Sequence, residues 1–368
     1  MLLFLYIRQL RKKYEKTEKE KKVICQGKNM KVSILGAGPT GSTAAYYLAK
    51  EGIDVELIDK REFPRDKPCG GGLFNPPLFY KEFPHVKEIE GKYIYKAKFY
   101  CGKYFFEYES KDPLMKTCFR KDCDHFLLKK AMKEGAKLLV QKRPEPEGDI
   151  VINATGARRI KDYPEAGICL VNDFRIEKEI DTAYIHYGFQ GIKGYAWLYP
   201  KEGYANIGIG AYLPQKSIKR IYESYIDFLE EKNAAHVQGK SYSAKIIPFS
   251  SIKNFYTENS LIAGDAAGFV RPGTGEGIYF AMLSGKIAAR TIIEEREFAW
   301  YEKQCRKEIG VYLKSAVPGL SRPLVNKILE KAVKIACKDE TFKKMLVENF
   351  FRLRYYRFGV RFFRNILK

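Results

Sequence analysis

The sequence predicts an α/β protein: a Rossmann-like dinucleotide-binding domain, an antiparallel β-sheet substrate domain inserted into it, and a C-terminal helical region. Three observations carry that prediction. An apolar strand, Lys31-Val32-Ser33-Ile34-Leu35, runs straight into Gly36-Ala37-Gly38-Pro39-Thr40-Gly41, a G-x-G-x-x-G turn. From about residue 162 to residue 250 the chain changes to short strand-like runs. A second glycine-bearing segment then follows, Leu261-Ile262-Ala263-Gly264-Asp265-Ala266-Ala267-Gly268 with Pro272-Gly273-Thr274-Gly275-Glu276-Gly277.

The first unit is a βαβ: a strand over 31–35, a helix over 40–50 ending at Gly52, which suits a C-cap, and a strand over 54–58 with Asp59 at its tip. Gly36 permits the tight turn, Gly38 lets the backbone approach a pyrophosphate, and Gly41 lets helix and strand pack closely. The helix N-terminus offers free N–H groups and a partial positive charge to phosphates, and Asp59 can accept from a ribose. Next comes Lys67-Pro68-Cys69-Gly70-Gly71-Gly72-Leu73. Three consecutive glycines there suit backbone lying flat against a planar ring, where a Cβ would clash. Alternation over 93–108 around Cys101-Gly102-Lys103 predicts a hairpin. A helix over 121–133 and buried strands over 137–140 and 150–153 return to the parallel sheet.

The inserted region holds strands over 168–171, 183–187, 195–199 and 205–210, interrupted by a helix over 217–231. Tyr195, Trp197 and Tyr199 alternate with Ala196 and Leu198, so the three aromatics share one strand face. They either line an apolar tunnel or fill the core between sheet and helices. After the return at Leu261, Gly275, Glu276 and Gly277 open a helix whose apolar face is Ile278, Ala281, Met282, Ala288 and Ala289. Its N-terminus suits the flavin N1–C2=O edge, where negative charge collects on reduction. Two remote glycine segments in this order point to one FAD. The expected boundaries are a basic extension over 1–29, an FAD-binding domain over 30–92, 110–161 and 255–295, a substrate domain over 93–109 and 162–254, and a helical region over 296–368.

Composition sets limits on the function. A chain of 368 residues with 45% hydrophobic and 14% aromatic content is not a disordered polymer. A formal charge of +22 favours anionic partners: acidic lipid, a phosphorylated substrate, an acidic redox protein, or nucleic acid. A basic composition overall explains the scattered lysines equally well. A basic RNA- or membrane-binding module is the reading that bound flavin would remove, and no nucleic-acid partner is expected. None of the eight cysteines forms C-x-x-C, so a reduced, cytoplasmic setting is expected, and no metal site or iron–sulfur ligand set is legible. At the C-terminus Arg354, Arg357, Arg361, Arg364 and Lys368 share one helical side beside Phe351, Tyr355, Phe358, Phe362 and Ile366. That pattern suits peripheral contact with an anionic membrane surface, or packing of the stripe on the protein's own body. Residues 1–29 are expected to be a partly helical extension or an over-called start, with Met30 as initiator.

Three of these segments carry a family resemblance. Lys67-Pro68-Cys69-Gly70-Gly71-Gly72 resembles the cysteine–glycine loop of the geranylgeranyl reductases, flavoproteins related in fold to para-hydroxybenzoate hydroxylase. Tyr195-Ala196-Trp197-Leu198-Tyr199-Pro200-Lys201 with Asn206-Ile207-Gly208 resembles their Y-x-W-x-F-P…N-x-G motif, with Tyr199 in place of phenylalanine. Gly264-Asp265-Ala266-Ala267-Gly268 through Gly275-Glu276-Gly277-Ile278 resembles their second flavin motif. The likeness spans about residues 31–290; the stretch between Val140 and Asp149 is shorter than in many relatives, so no adenine contact is matched.

The resemblance implies FAD, with Gly41 and Asp59 at the pyrophosphate and adenosine ribose, and Cys69, Gly70 and Gly72 beside the isoalloxazine. It implies Arg120 at the phosphate–ribitol region, Asp265 at the ribityl chain, and Gly277 and Ile278 at the pyrimidine edge. It also implies hydrogenation of C=C bonds in geranylgeranyl chains of an archaeal-type ether phospholipid precursor, with Cys69, Tyr195 and Trp197 as catalytic residues; Cys69 is either a proton donor near the substrate or only a small residue beside the ring. The substrate would be a polyprenyl lipid or prenyl diphosphate, and the electron donor ferredoxin or NAD(P)H. The alternatives are an FAD-dependent aromatic monooxygenase and an electron-transfer flavoprotein dehydrogenase, the latter weakened by the missing iron–sulfur ligands.

Overall fold

A computed structural model of the chain describes residues 30–143, 145–314 and 324–352. Five parallel strands form one sheet in the order Ser260–Ile262, Ile150–Asn153, Lys31–Leu35, Asp54–Asp59, Lys137–Val140. Val32, Ile34, Val55, Leu57 and Ile152 are all but inaccessible, as expected of parallel strands covered on both faces. The helix Pro39–Lys50 begins with proline at its first position, one residue earlier than expected, where the missing N–H costs nothing. It ends at Glu51, and Gly52 takes a φ of +78°.

Seven strands form the second sheet, in the order Ser243–Pro248, Ala166–Arg175, Tyr204–Tyr212, Gly194–Lys201, Thr182–Tyr187, Lys96–Cys101, Tyr104–Glu109. Its pairs are antiparallel except Thr182–Tyr187 with Lys96–Cys101. The hairpin starts at Lys96, not at residue 93. Ala97, Phe99 and Cys101 alternate inward, but Ile94 is buried out of phase with them. Lys92–Ile94 accordingly joins a separate three-stranded sheet with Met115–Thr117 and Gly72–Phe74. That small sheet and the edge strand Ser243–Pro248 were not anticipated. The helix expected over 217–231 is Ile218–Glu231.

The C-terminal region contributes the helices Phe298–Glu308, Gly310–Lys314, Leu324–Ala336 and Glu340–Phe351. The last two pack on one face of the antiparallel sheet, where Val333, Phe342, Phe350 and Phe351 share a core with Phe74, Phe99, Tyr195 and Trp197. Phe351, the first member of the expected lipid-facing stripe, is fully buried against Phe74. The rest of that stripe, its arginines, and the extension over 1–29 lie outside the described residues.

Candidate active site

The two large sheets meet at a cleft of about 1390 Å³, open mouth included, whose walls come from segments far apart in sequence. One wall is the glycine turn. Gly36 N–H donates to Ile58 O at 2.7 Å, tying the turn to the neighbouring strand. Ala37 N–H donates to Asp59 Oδ2 at 3.0 Å and Arg61 N–H to Asp59 Oδ1 at 3.2 Å, so Asp59 braces the turn from the strand tip. Gly38 reaches the cleft, whereas Gly36, Gly41 and Asp59 stand behind it. A carboxylate has about four acceptor positions, which leaves Asp59 capacity for a ribose hydroxyl.

The second wall is a cluster of cations. A Cβ at Gly38 would lie 3.6 Å from Arg65 Nη2 and 3.9 Å from Lys67 Nζ. Arg120 is buried and gripped by Asp124, with Nε–Oδ1 at 2.9 Å and Nη2–Oδ2 at 3.0 Å. Lys245, from the unanticipated edge strand, donates to Asp265 Oδ2 at 2.8 Å. The crowding registers in the titration of these groups. Repulsion by Lys245, then burial and Arg120, pull Lys67 down to about 7. Burial pushes the Asp265 carboxyl up, yet Lys245 and Lys67 outweigh it and hold the group at about 2. Burial raises the Cys69 thiol too, but Arg120, Lys245 and the Gly71 N–H bring it below its ordinary value. A cleft that depresses its own lysine carries positive charge in excess, and an anionic group such as a pyrophosphate relieves it.

The third wall joins the cysteine–glycine loop to the antiparallel sheet. Trp197 Nε1–H donates to Asn206 Oδ1 at 2.8 Å. The Asn206 amide donates to Cys69 O at 3.1 Å and to Asp173 Oδ1 at 2.7 Å. Lys201, 1% exposed, closes the network on Asp173 at 2.8 Å. Gly208 makes room for the indole: a Cβ there would lie 2.1 Å from Trp197 Cζ2. Tyr195 Oη–H donates to Thr274 O at 2.5 Å, linking this wall to the loop before the helix Ile278–Ile293.

Of the residues singled out in the sequence, Cys69, Gly70, Gly72, Arg120, Tyr195, Trp197, Asp265, Gly277 and Ile278 line the cleft. The aromatics serve both readings: Tyr195 faces the cleft while its ring also packs against Phe350 at 5.6 Å. Sequence reasoning missed Lys67, Lys245, Cys169 and Glu276 as lining groups. Lys67 and Glu276 sat inside quoted motifs without an assigned part. Nothing in the local pattern of Ser243–Pro248 marks Lys245. Among the described residues no His, Cys, Asp and Glu cluster could hold a metal ion, and no helix is long and apolar enough to cross a membrane.

A glycine turn at a helix N-terminus, excess cations over it and a glycine loop facing an aromatic wall fit a flavin dinucleotide, and with this fold they define a flavoprotein oxidoreductase. Residues 34–65 match the model of the NAD(P)-binding Rossmann-like domain. The chain is 31% identical to an uncharacterized protein of Methanosarcina barkeri over 305 residues, 75% of this chain and 78% of that one. It is 28% identical to digeranylgeranylglycerophospholipid reductase 1 of Methanosphaera stadtmanae over 86% of this chain and 91% of that one. Its fold is similar to that of a geranylgeranyl bacteriochlorophyll reductase-like protein from Thermoplasma acidophilum, with a TM-score of 0.74 at 21% identity over 92% and 99% of the two chains. The chain belongs to the geranylgeranyl reductase family.

Proposed function

We propose that the protein hydrogenates C=C bonds in geranylgeranyl chains of an archaeal-type ether phospholipid precursor, as an FAD-dependent reductase acting on CH–CH bonds. One observation carries this reading: cations, the cysteine–glycine loop and the second glycine loop converge beneath the buried aromatics Tyr195, Trp197 and Tyr199. A long apolar substrate with an anionic head needs both surfaces. The name of the relative in Methanosphaera stadtmanae supports the same substrate class.

Bound and reduced, FAD supplies a hydride. Gly36, Gly38 and Gly41 with Asp59 would hold the dinucleotide, and Lys67, Arg120 and the Lys245–Asp265 pair would meet its phosphate–ribitol region. Cys69, Gly70 and Gly72 would lie beside the ring, with Gly277 and Ile278 toward its pyrimidine edge. An isolated alkene accepts hydride poorly, so the protein's share is to exclude water and fix the double bond in place. Tyr195 and Trp197 do that, held by Thr274 O and by Asn206. The proposed division into an FAD-binding and a substrate domain assigns the parallel sheet to the first and the seven-stranded sheet to the second. The basic sequence over 354–368 is proposed to meet an anionic lipid surface, and reduced ferredoxin or NAD(P)H to deliver electrons.

The test is anaerobic incubation of chemically reduced protein with geranylgeranyl ether lipids, read by mass spectrometry. Two hydrogens gained per double bond is the expected result. Oxygen consumption linked to NADPH oxidation, with lipids unaltered, would instead favour an aromatic monooxygenase. Trp197→Ser is expected to slow lipid turnover by about 10²-fold, the scale of a misplaced reactant, while the protein stays yellow. Unchanged turnover in that variant removes the tunnel role.

A further inference from the structure

Glu276 lies in the loop between Gly275 and Gly277, where the cleft wall passes into the helix Ile278–Ile293. Its side chain is 2% exposed, and among the described residues neither carboxyl oxygen accepts a hydrogen bond. The charged group facing it is Arg271, equally buried and 3.8 Å away, beyond hydrogen-bond reach. That guanidinium is engaged elsewhere: Nη1–H donates to Phe350 O at 2.9 Å, and Nη2–H donates to Asn349 O. Tyr187 and Tyr195 stand beside Arg271, and Tyr279 lies in the first turn of the helix Ile278–Ile293. Thr274 Oγ1 accepts from the Glu276 backbone N–H at 3.4 Å and not from its carboxyl. A buried carboxylate without donors is costly, whereas a protonated carboxyl in the same place is not. Burial outweighs Arg271 and pushes the group up to about 7.

Other groups in the cleft are less suited to give up and regain a proton near neutral pH. Against the effect of burial, Arg120, Lys245 and the Gly71 N–H hold the Cys69 thiol below its ordinary value, but among the described residues no carboxyl or second acid backs it. Tyr195 and Tyr199 are pushed up by burial, away from neutrality. Lys67 is near 7 only through repulsion by Lys245 and Arg120 and through burial, and an anion bound between these cations restores its charge.

We propose that the Glu276 carboxyl is the proton-carrying group of this cleft, delivering its proton to one alkene carbon while the neighbouring carbon receives hydride. This rests on the reductase reading above. The alkene gains two electrons and two hydrogens. Hydride from the reduced flavin forms one C–H bond, and the π pair forms the other with the proton as the Glu276 O–H bond breaks. Glu276 is left as a carboxylate beside Arg271 and recovers a proton from solvent.

The test has two readouts. Infrared difference spectra of the oxidised, lipid-free protein are expected to lose one protonated-carboxyl band as pH rises through about 7, and Glu276→Gln is expected to lack that change. The same protonation stabilises the fold below the ordinary carboxylate value of 4.5, and that contribution is lost as pH rises through the folded value of about 7. Melting temperature of the variant should therefore gain on the wild type between those limits. In the reduced protein, lipid hydrogenation is expected to fall tenfold per pH unit on the alkaline side, and Glu276→Gln to lose about 10²-fold or more together with that limb. Ferricyanide reoxidation of the flavin, which takes no proton from the protein, is the comparison. A retained limb in the variant, equal loss of both rates, or no carboxyl band in the wild type each overturns the proposal. If the variant does not fold, the wild-type band decides alone. Wild-type protein that shows the band but hydrogenates no lipid refutes the reductase reading instead.

Discussion

Gly41→Val is expected to give a protein that does not turn yellow on reconstitution. A Cβ at Gly41 would lie 1.9 Å from the Gly36 carbonyl oxygen and 3.1 Å from Ile34 Cγ2. Both obstacles are rigid, because Gly36 is itself held at a φ of +100° with Ala154 O only 2.5 Å from its own Cβ position. The chain can relieve the clash only by lifting the helix Pro39–Lys50 off the strand Lys31–Leu35. That separates the fully buried Ala44, Ala45 and Leu48 from the sheet and swings the helix N-terminus away from the cleft. Overpacking of this kind costs about 3 kcal/mol at the upper end of its usual range. The same sum in FAD affinity is about 10²-fold. Absorbance after reconstitution and a thermal melt give both numbers. Gly52→Ala is the control: at its φ of +78° an alanine costs about 1 kcal/mol of stability, but its Cβ meets nothing within 4 Å, so flavin binding should survive. A stoichiometrically yellow Gly41→Val protein would disprove the assignment of this turn to the dinucleotide.

Asn206→Leu is expected to be nearly as damaging, by a different route. One amide satisfies the Trp197 indole, the Cys69 carbonyl and the Asp173 carboxylate. Leucine leaves a buried donor and a buried acceptor stranded, and each such group costs about 1–3 kcal/mol. The stability loss should be on the order of 3 kcal/mol, read as a lowered denaturant midpoint. Turnover should fall further than stability predicts, because the cysteine–glycine loop and the aromatic wall lose their shared anchor. Gly208→Val should mimic it by driving a methyl group into the indole ring. Wild-type turnover in either variant would mean that the anchor is dispensable.

The parts of this molecule legible in the sequence are those whose cause is local. Val32 and Ile34 are apolar next to a glycine turn, and a proline opens the following helix, so the βαβ unit is written in the 29 consecutive residues 31–59. Alternation likewise marks the strands around Tyr195 and Asn206. Strands of three residues, such as Gly72–Phe74 and Met115–Thr117, are too short to show a period. Lys245 is recognisable only once its strand pairs with Ala166–Arg175 and brings it to Asp265. Asn206 could be matched to a motif, but its partner Cys69 is 137 residues away, so the reason for the motif appears only in three dimensions. The Arg271–Glu276 pair is hidden for the same reason, since its stability depends on carbonyls of residues 349 and 350.

Arg271 also bears on modularity. Its guanidinium caps the end of Glu340–Phe351 from inside the cofactor loop, so those final turns are no detachable appendage. Trimming them would take two carbonyl acceptors from a buried cation, and a graft from a relative would have to carry loop and helix together.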